Sequence, residues 1–164
     1  MPTQPRIVER PDQPYVAISG LVTMQTIGAI ADRLPDVFLW LAEHDLEPAG
    51  APFFKYNLID MQRQLEVEVG VPLPTPAQGD GDVHAGVLPA GRYATVTHVG
   101  HPDELAGVTA KLLDWAAQQR LRWDMSETST GQRWRCRLEI YHTDPAEEPD
   151  MRRWQTELAF RLAG

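Results

Sequence analysis

A chain of 164 residues, 43% hydrophobic and 23% charged, is the size of one globular domain able to bury a real core. No apolar run approaches the roughly 18 residues of a membrane-spanning helix, and Met1 to Arg6 lacks the apolar segment of a signal peptide. A net charge of −8, with no lysine cluster and no helix-turn-helix pattern, argues against direct nucleic-acid binding.

Cys136 is the only cysteine. An internal disulfide is therefore excluded, and a cytoplasmic location with no membrane contact is the expectation. An acidic surface of this kind repels nonspecific partners and attracts cations.

The first regular segment is residues 15–24, rich in β-branched side chains and free of charge, which reads as a strand. From Thr26 to about Leu46 the period becomes helical, with Ile27, Ile30, Leu34, Phe38 and Leu41 on one side and Thr26 as N-cap. Pro35 ends a first turn or kinks this helix. Pro48 to Pro52 is a turn. Phe53 to Asp60 is a strand. Leu65 to Val71 is another, with Leu65, Val67 and Val69 alternating against Glu66 and Glu68 as in a half-buried antiparallel strand. Residues 72–82 form a linker rich in proline, glycine and aspartate.

The same order then recurs. Val83–Leu88 and Arg92–Val99 are strand-like, Asp103 to Leu121 is helical, Gln132–Thr143 is a strand, and Thr156–Leu162 closes the chain as a last strand. Phe38 to Leu46 matches Leu113 to Leu121, with Trp40 over Trp115 and Leu46 over Leu121. Gln64-Leu-Glu66 matches Gln155-Thr-Glu157, and Lys55 falls opposite Glu139. Pseudo-repeats at about 1–74 and 83–164 within a single domain follow. Two such strand-helix-strands units predict an α+β fold: one antiparallel sheet, two helices on one face, and a central groove between them.

Several stretches carry a family resemblance. They are Glu9 to Ile18, Pro48 to Asn57, Leu65 to Pro72, Leu88 to Ala94, Arg137-Leu-Glu-Ile-Tyr-His-Thr-Asp-Pro145 and Trp154 to Leu158. On these, nearly the whole chain resembles the GyrI-like small-molecule-binding domain, the effector-binding domain of AraC-type and MerR-type multidrug-responsive regulators, here in stand-alone form. The resemblance implies a central acid flanked by aromatics that binds hydrophobic, often cationic compounds, and Glu139 occupies the position of that acid. Some single-domain relatives look like hydrolases that open strained cyclopropane rings. Where many relatives have Gly-Pro-Tyr-Asp, this chain has Gly100-His-Pro-Asp103, so a tyrosine that some relatives offer to ligand is missing.

Glu139 decides between two readings. Strand parity puts Arg137, Glu139 and Tyr141 on one face and Trp134, Cys136, Leu138 and Ile140 on the other. If the apolar set faces the helices, Glu139 is a solvated or ion-paired glutamate on the far side. The resemblance instead makes it the acidic floor of a pocket, which requires a bulge or an open groove. There it would hold a cation, or act as acid and base in hydrolysis with Tyr141 or Tyr56 as partner. Candidate pocket walls are Phe54, Tyr56, Tyr93, Trp40, Trp115, Trp134 and Tyr141, whose faces suit planar drugs and cations. Met61 and His98 complete the set.

With Asp103 close by, His98 and His101 suggest a metal, but on a strand they point to opposite faces unless the strand ends between them at Pro102, and no metal is expected. No glycine-rich phosphate loop, Ser-His-Asp order or paired-cysteine motif is present, so no cofactor is expected either. The leading reading is a stand-alone binder of hydrophobic or cationic small molecules, for sequestration or sensing, as a monomer or weak homodimer. Hydrolysis of cyclopropane-bearing toxins is the alternative. A third reading is an acidic module acting on a nucleic-acid enzyme or a separate regulator partner.

Overall fold

The computed structural model describes residues 3–60 and 62–164. Its strands are β1 (Arg6–Arg10), β2 (Gln13–Val22), β3 (Phe53–Ile59), β4 (Leu65–Pro72), β5 (His84–Leu88), β6 (Gly91–Val99), β7 (Met125–Thr128), β8 (Gly131–Trp134), β9 (Arg137–Tyr141) and β10 (Gln155–Arg161). Its α-helices are α1 (Gly28–Ala31), α2 (Leu34–Glu43) and α3 (Leu105–Gln118). The strands form one curled antiparallel sheet in the order β1-β6-β10-β9-β3-β4-β2-β5, with the β7–β8 hairpin attached through β8 to β3. The expected α+β architecture is therefore the observed one. No helix among the described residues is long and apolar enough to cross a membrane.

The strand order reads alike from both ends. In the first half β2 is followed by a helical segment, then by β3 and β4. In the second half β6 is followed by α3, then by β9 and β10. The outermost strands are exchanged: β1 precedes β2 but pairs with β6, and β5 precedes β6 but pairs with β2. The central strands β3 and β9 meet at the middle, with Phe53, Phe54 and Lys55 opposite Ile140, Glu139 and Leu138.

The helix ends match as their sequences do. Asp45 and Arg120 both take left-handed backbone, at φ 55° and 59°. The Leu46 amide then donates to the Leu41 carbonyl, and the Leu121 amide to the Ala116 carbonyl, both at 2.9 Å. This closing pattern normally uses glycine, and a side chain there costs roughly 1–2 kcal/mol. The apolar contact of Leu46 and Leu121 with their helices offsets that cost.

Three local differences from the sequence-based expectations have plain causes. The helix expected over 26–46 is two helices, because Pro35 lies in the first turn of α2, where a missing amide costs nothing. Thr26 does not cap a helix; its hydroxyl accepts from the Thr23 amide at 2.8 Å. The strand expected over 132–143 is broken at Arg135 and Cys136 into β8 and β9.

Two apolar clusters bury the helices on one face. α1 and α2 pack on Val16, Ile18, Phe54, Leu65, Val67, Val69 and Val71. α3 packs on Ala94, Val96, Leu158, Phe160 and Trp134. Ile59 touches both clusters. The opposite face is not open to solvent as in a simple half-buried sheet. The curl brings Tyr15, Phe53, Leu88, Tyr93, Cys136, Leu138 and Ala159 together in a third cluster.

Candidate ligand-binding site

The break between β8 and β9 shifts the side-chain alternation. Trp134 packs with α3, whereas Cys136, Leu138 and Ile140 belong to the helix-free face. Glu139 and Tyr141 are thereby turned toward the helices. Simple parity, carried unbroken from Trp134, places Glu139 on the wrong face, because β9 has its own phase.

Glu139 sits at the middle of the floor between the two helical segments. Across the sheet its register partners are Phe54 of β3 and Leu158 of β10. The Tyr141 hydroxyl donates to Glu139 Oε1 at 2.7 Å, and the Tyr56 hydroxyl donates to Oε2 at 3.0 Å. Burial, and then the neighbouring carboxylate, push both phenols well above their ordinary range, so each remains a protonated donor. Phe54 stands edge-on to Tyr141 at 5.4 Å and to Tyr56 at 6.2 Å.

Beside this cluster lies a cavity of about 470 Å³, mostly apolar. Leu34 and Phe38 of the helical side, Phe54, Tyr141, Trp154 and Thr156 line it. The loop with Asp144 and Pro145 forms part of its wall, so one more carboxylate is at hand. Trp154 is fixed by its indole N–H donating to the Glu148 carbonyl at 2.7 Å. Nothing in the local pattern around Trp154, Leu34 or Phe38 singles them out as cavity walls. Leu34 and Phe38 read as an ordinary helical core stripe, and Trp154 precedes its strand.

Arg137, two residues along from Glu139, faces the same side. Its guanidinium lies 4.7 Å from the ring centre of Trp134 and 4.4 Å from that of Phe160. Burial pushes it down to about 10, while Tyr56 and Glu139 act in the opposite direction. It remains a cation at neutral pH, and it already fills the aromatic niche on the α3 side.

The other candidates lie elsewhere. Trp40, a residue of α2, is buried, with its indole N–H on Asp80 at 2.7 Å and its ring stacked on His44. Trp115 is half-buried against the α3 cluster. Tyr93 is on the helix-free face, where its hydroxyl donates to the Pro89 carbonyl at 2.6 Å. His98 is buried, with Nε2 3.5 Å from Glu104 and, among the described residues, no hydrogen bond to either ring nitrogen. Met61 lies outside the described residues. His101 caps the turn before α3. Among the described residues no group of His, Cys, Asp or Glu is arranged to hold a metal ion. Cys136 is buried, and burial pushes its thiol up, which fits an inert side chain.

Beneath the groove, on the helix-free face, are two charged clusters that sequence reading missed, the first buried and the second half-buried. Lys55 points there and is not the counterpart of Glu139. It meets Glu68 at 3.3 Å, and Glu68 also accepts from Tyr15 at 2.7 Å and Asn57 at 2.6 Å. Ser19 and Glu68 both approach His84 through the same nitrogen, Nε2, at 2.9 and 3.4 Å. A catalytic relay needs one partner on each ring nitrogen, so this trio is not one.

The second set centres on Glu157, which accepts from Arg10 at 2.7 Å, Thr95 at 2.8 Å and His142 at 2.9 Å. Burial opposes its charge. The bonds from His142 and Thr95 and the Arg10 charge outweigh that and hold the carboxyl at about 2, against an ordinary 4.5. A depressed folded-state value stabilises the fold above the ordinary value and loses that effect as pH falls toward 2. Glu157→Gln should therefore be less stable than the wild type at pH 7, with the gap closing on acidification. Urea unfolding at stepped pH measures this, and a gap that stays constant from pH 7 to pH 2 would contradict it.

The chain belongs to the GyrI-like family: the model of the GyrI-like small molecule binding domain matches residues 3–163. No curated protein matches significantly. Among solved structures the chain is similar to the C-terminal domain of EcmrR, at 18% identity and TM-score 0.76, covering 98% of this chain and 97% of that one. It is also similar to EcmrR in a DNA complex, at 18% identity and TM-score 0.78, where 97% of this chain spans 57% of that chain. SAV2435 bound to tetraphenylphosphonium gives 12% identity and TM-score 0.61, covering 99% and 95%. These likenesses establish the fold, and the family makes the chain a small-molecule-binding domain.

Proposed function

We propose that the groove over β9 binds hydrophobic cations, and that the chain sequesters or senses such compounds. The observation that carries this reading is Glu139, turned to the helix face and held by two tyrosine hydroxyls beside a largely apolar cavity of about 470 Å³. That volume lies within the roughly 300–1,000 Å³ of ligand pockets, and the composition fits a lipophilic cation: largely apolar walls that include Asp144, with Glu139 adjoining them through its bond from Tyr141. Phe54 and Tyr141 supply aromatic edges and faces, Tyr56 and Tyr141 fix the carboxylate, and Asp144 adds negative potential. SAV2435, of the same fold, has been seen with tetraphenylphosphonium.

The test uses two ions of one shape and opposite charge. Tetraphenylphosphonium should bind saturably at micromolar concentration, and tetraphenylborate at least about tenfold more weakly, since only one sign of charge meets Glu139 favourably. Equal affinity, or preference for the borate, would contradict the proposal.

A second reading rests on the same carboxylate. Glu139 with a water in the groove has the parts for acid–base hydrolysis of a strained ring. A solved structure with TM-score 0.61 and 12% identity to this chain is described as a hydrolase from Listeria innocua. Tyr56 and Tyr141 would serve as orienting donors there, because their raised pKa values suit them poorly to proton delivery. Steady turnover of a cyclopropane-bearing alkylator, lost in Glu139→Gln, separates this reading from simple binding.

A further inference from the structure

On the helix-free face a second cavity, of about 450 Å³, opens where the chain breaks between β8 and β9. Its character is opposite to that of the groove. At its floor is Lys55, 9% exposed. An ammonium group has three donors. Asn57 Oδ1 and Glu68 Oε2 take two of them, which leaves one without an acceptor among the described residues. Glu68 is meanwhile supplied by Tyr15 and Asn57, so its share of Lys55 is the long contact of 3.3 Å.

The wall adds two guanidinium groups. Arg133 has a loose pairing with Glu66 at 3.6 Å. Arg135 has no side-chain partner among the described residues, while its backbone amide is tied to the Asp124 carbonyl at 3.0 Å. The carboxylate of Asp124, also at the cavity, is taken by Arg161. The pairs Lys55–Glu68, Arg133–Glu66 and Arg161–Asp124 cancel, and Arg135 remains in surplus. The cavity thus holds one uncompensated positive charge and a nearly buried ammonium with a spare donor. Ser126 and Asn57 supply neutral polar groups at its lining.

We propose that this cavity is a second site, separate from the groove, for a small oxyanion: the carboxylate or phosphate of a molecule of metabolite size. Lys55 receives the anion at the floor, and Arg135 closes on it from the rim as a forked donor. The acidic surface of the chain as a whole disfavours anions at long range, so recognition is local, and it weakens only modestly with salt.

The experiment is titration of the intact, isotope-labelled chain with benzoate, inorganic phosphate and benzamidine, followed by amide chemical shifts. Benzoate or phosphate should saturably shift the amides of Asn57, Ser126 and Arg135, and benzamidine should not. The anion that saturates identifies the source as carboxylate or phosphate. Arg135→Glu, an exposed change that leaves the fold intact, should weaken this binding by about tenfold. Lys55→Met should abolish it, and its shift spectrum reports whether the fold survived. The proposal is overturned if neither anion saturates at those amides, if Arg135→Glu binds as the wild type does, or if the shifts fall instead on Phe54 and Tyr141.

Discussion

Replacing Glu68 by leucine, with Lys55 left in place, should destabilise the protein by about 3–5 kcal/mol. Lys55 is 9% exposed and Glu68 4%. Their contact, with the bonds from Tyr15 and Asn57, is what allows a lysine to be buried as a cation. Removing the carboxylate strands the ammonium, and it also leaves the Tyr15 hydroxyl and the Asn57 amide without their acceptor. Against a typical total of about 5–15 kcal/mol this is a large loss. The double change Lys55→Met with Glu68→Leu should recover much of it, since two apolar side chains suit the surrounding cluster of Phe53, Tyr15 and Leu138. Urea denaturation of the three variants measures the effect. A double variant no more stable than Glu68→Leu would show that the pair is not the source of the penalty.

Replacing Glu139 by glutamine acts on binding rather than on folding. The amide keeps an oxygen for one tyrosine donor and nearly the same volume, so the unfolding midpoint should change little. The charge is lost. A cation about 6 Å from a carboxylate, at an effective dielectric of about 20, gains on the order of 3 kcal/mol, and partial solvation of the groove lowers this to about 1–3 kcal/mol. The affinity for a lipophilic cation should therefore fall about ten- to a hundredfold. Affinity for a neutral compound of the same shape should stay within about threefold, because the walls formed by Phe54, Phe38 and Trp154 are untouched.

The architecture was legible because most strands carry their own pattern. The alternation of Leu65, Val67 and Val69 is the buried helix-facing side of β4. The likeness of Phe38–Leu46 to Leu113–Leu121 appears in space as two helices with the same closing geometry at Asp45 and Arg120. β1 and β7 were not legible. They are short, charged or polar, and exposed at most positions, so neither has an apolar face to announce it.

The candidate site was half legible. The resemblance points to Glu139, while parity from Trp134 points away from the groove. The conflict lies in two residues, Arg135 and Cys136, whose break in pairing has no signature in residue type. Glu68 illustrates a different blindness. Alternation marks it as the other side of a strand, but only the curl of the whole sheet covers that side with Tyr15, Phe53 and Leu138. Long-range closure of this sort is set by strand pairing between β1 and β6 and between β2 and β5, which no local window contains.

The most direct measurement is calorimetric titration of tetraphenylphosphonium into the wild type and into Glu139→Gln, side by side at one salt concentration. The groove account predicts one site per chain, with a dissociation constant about ten- to a hundredfold higher in the variant and the same unfolding midpoint for both proteins. Identical affinity in the two proteins, with both folded, would contradict it.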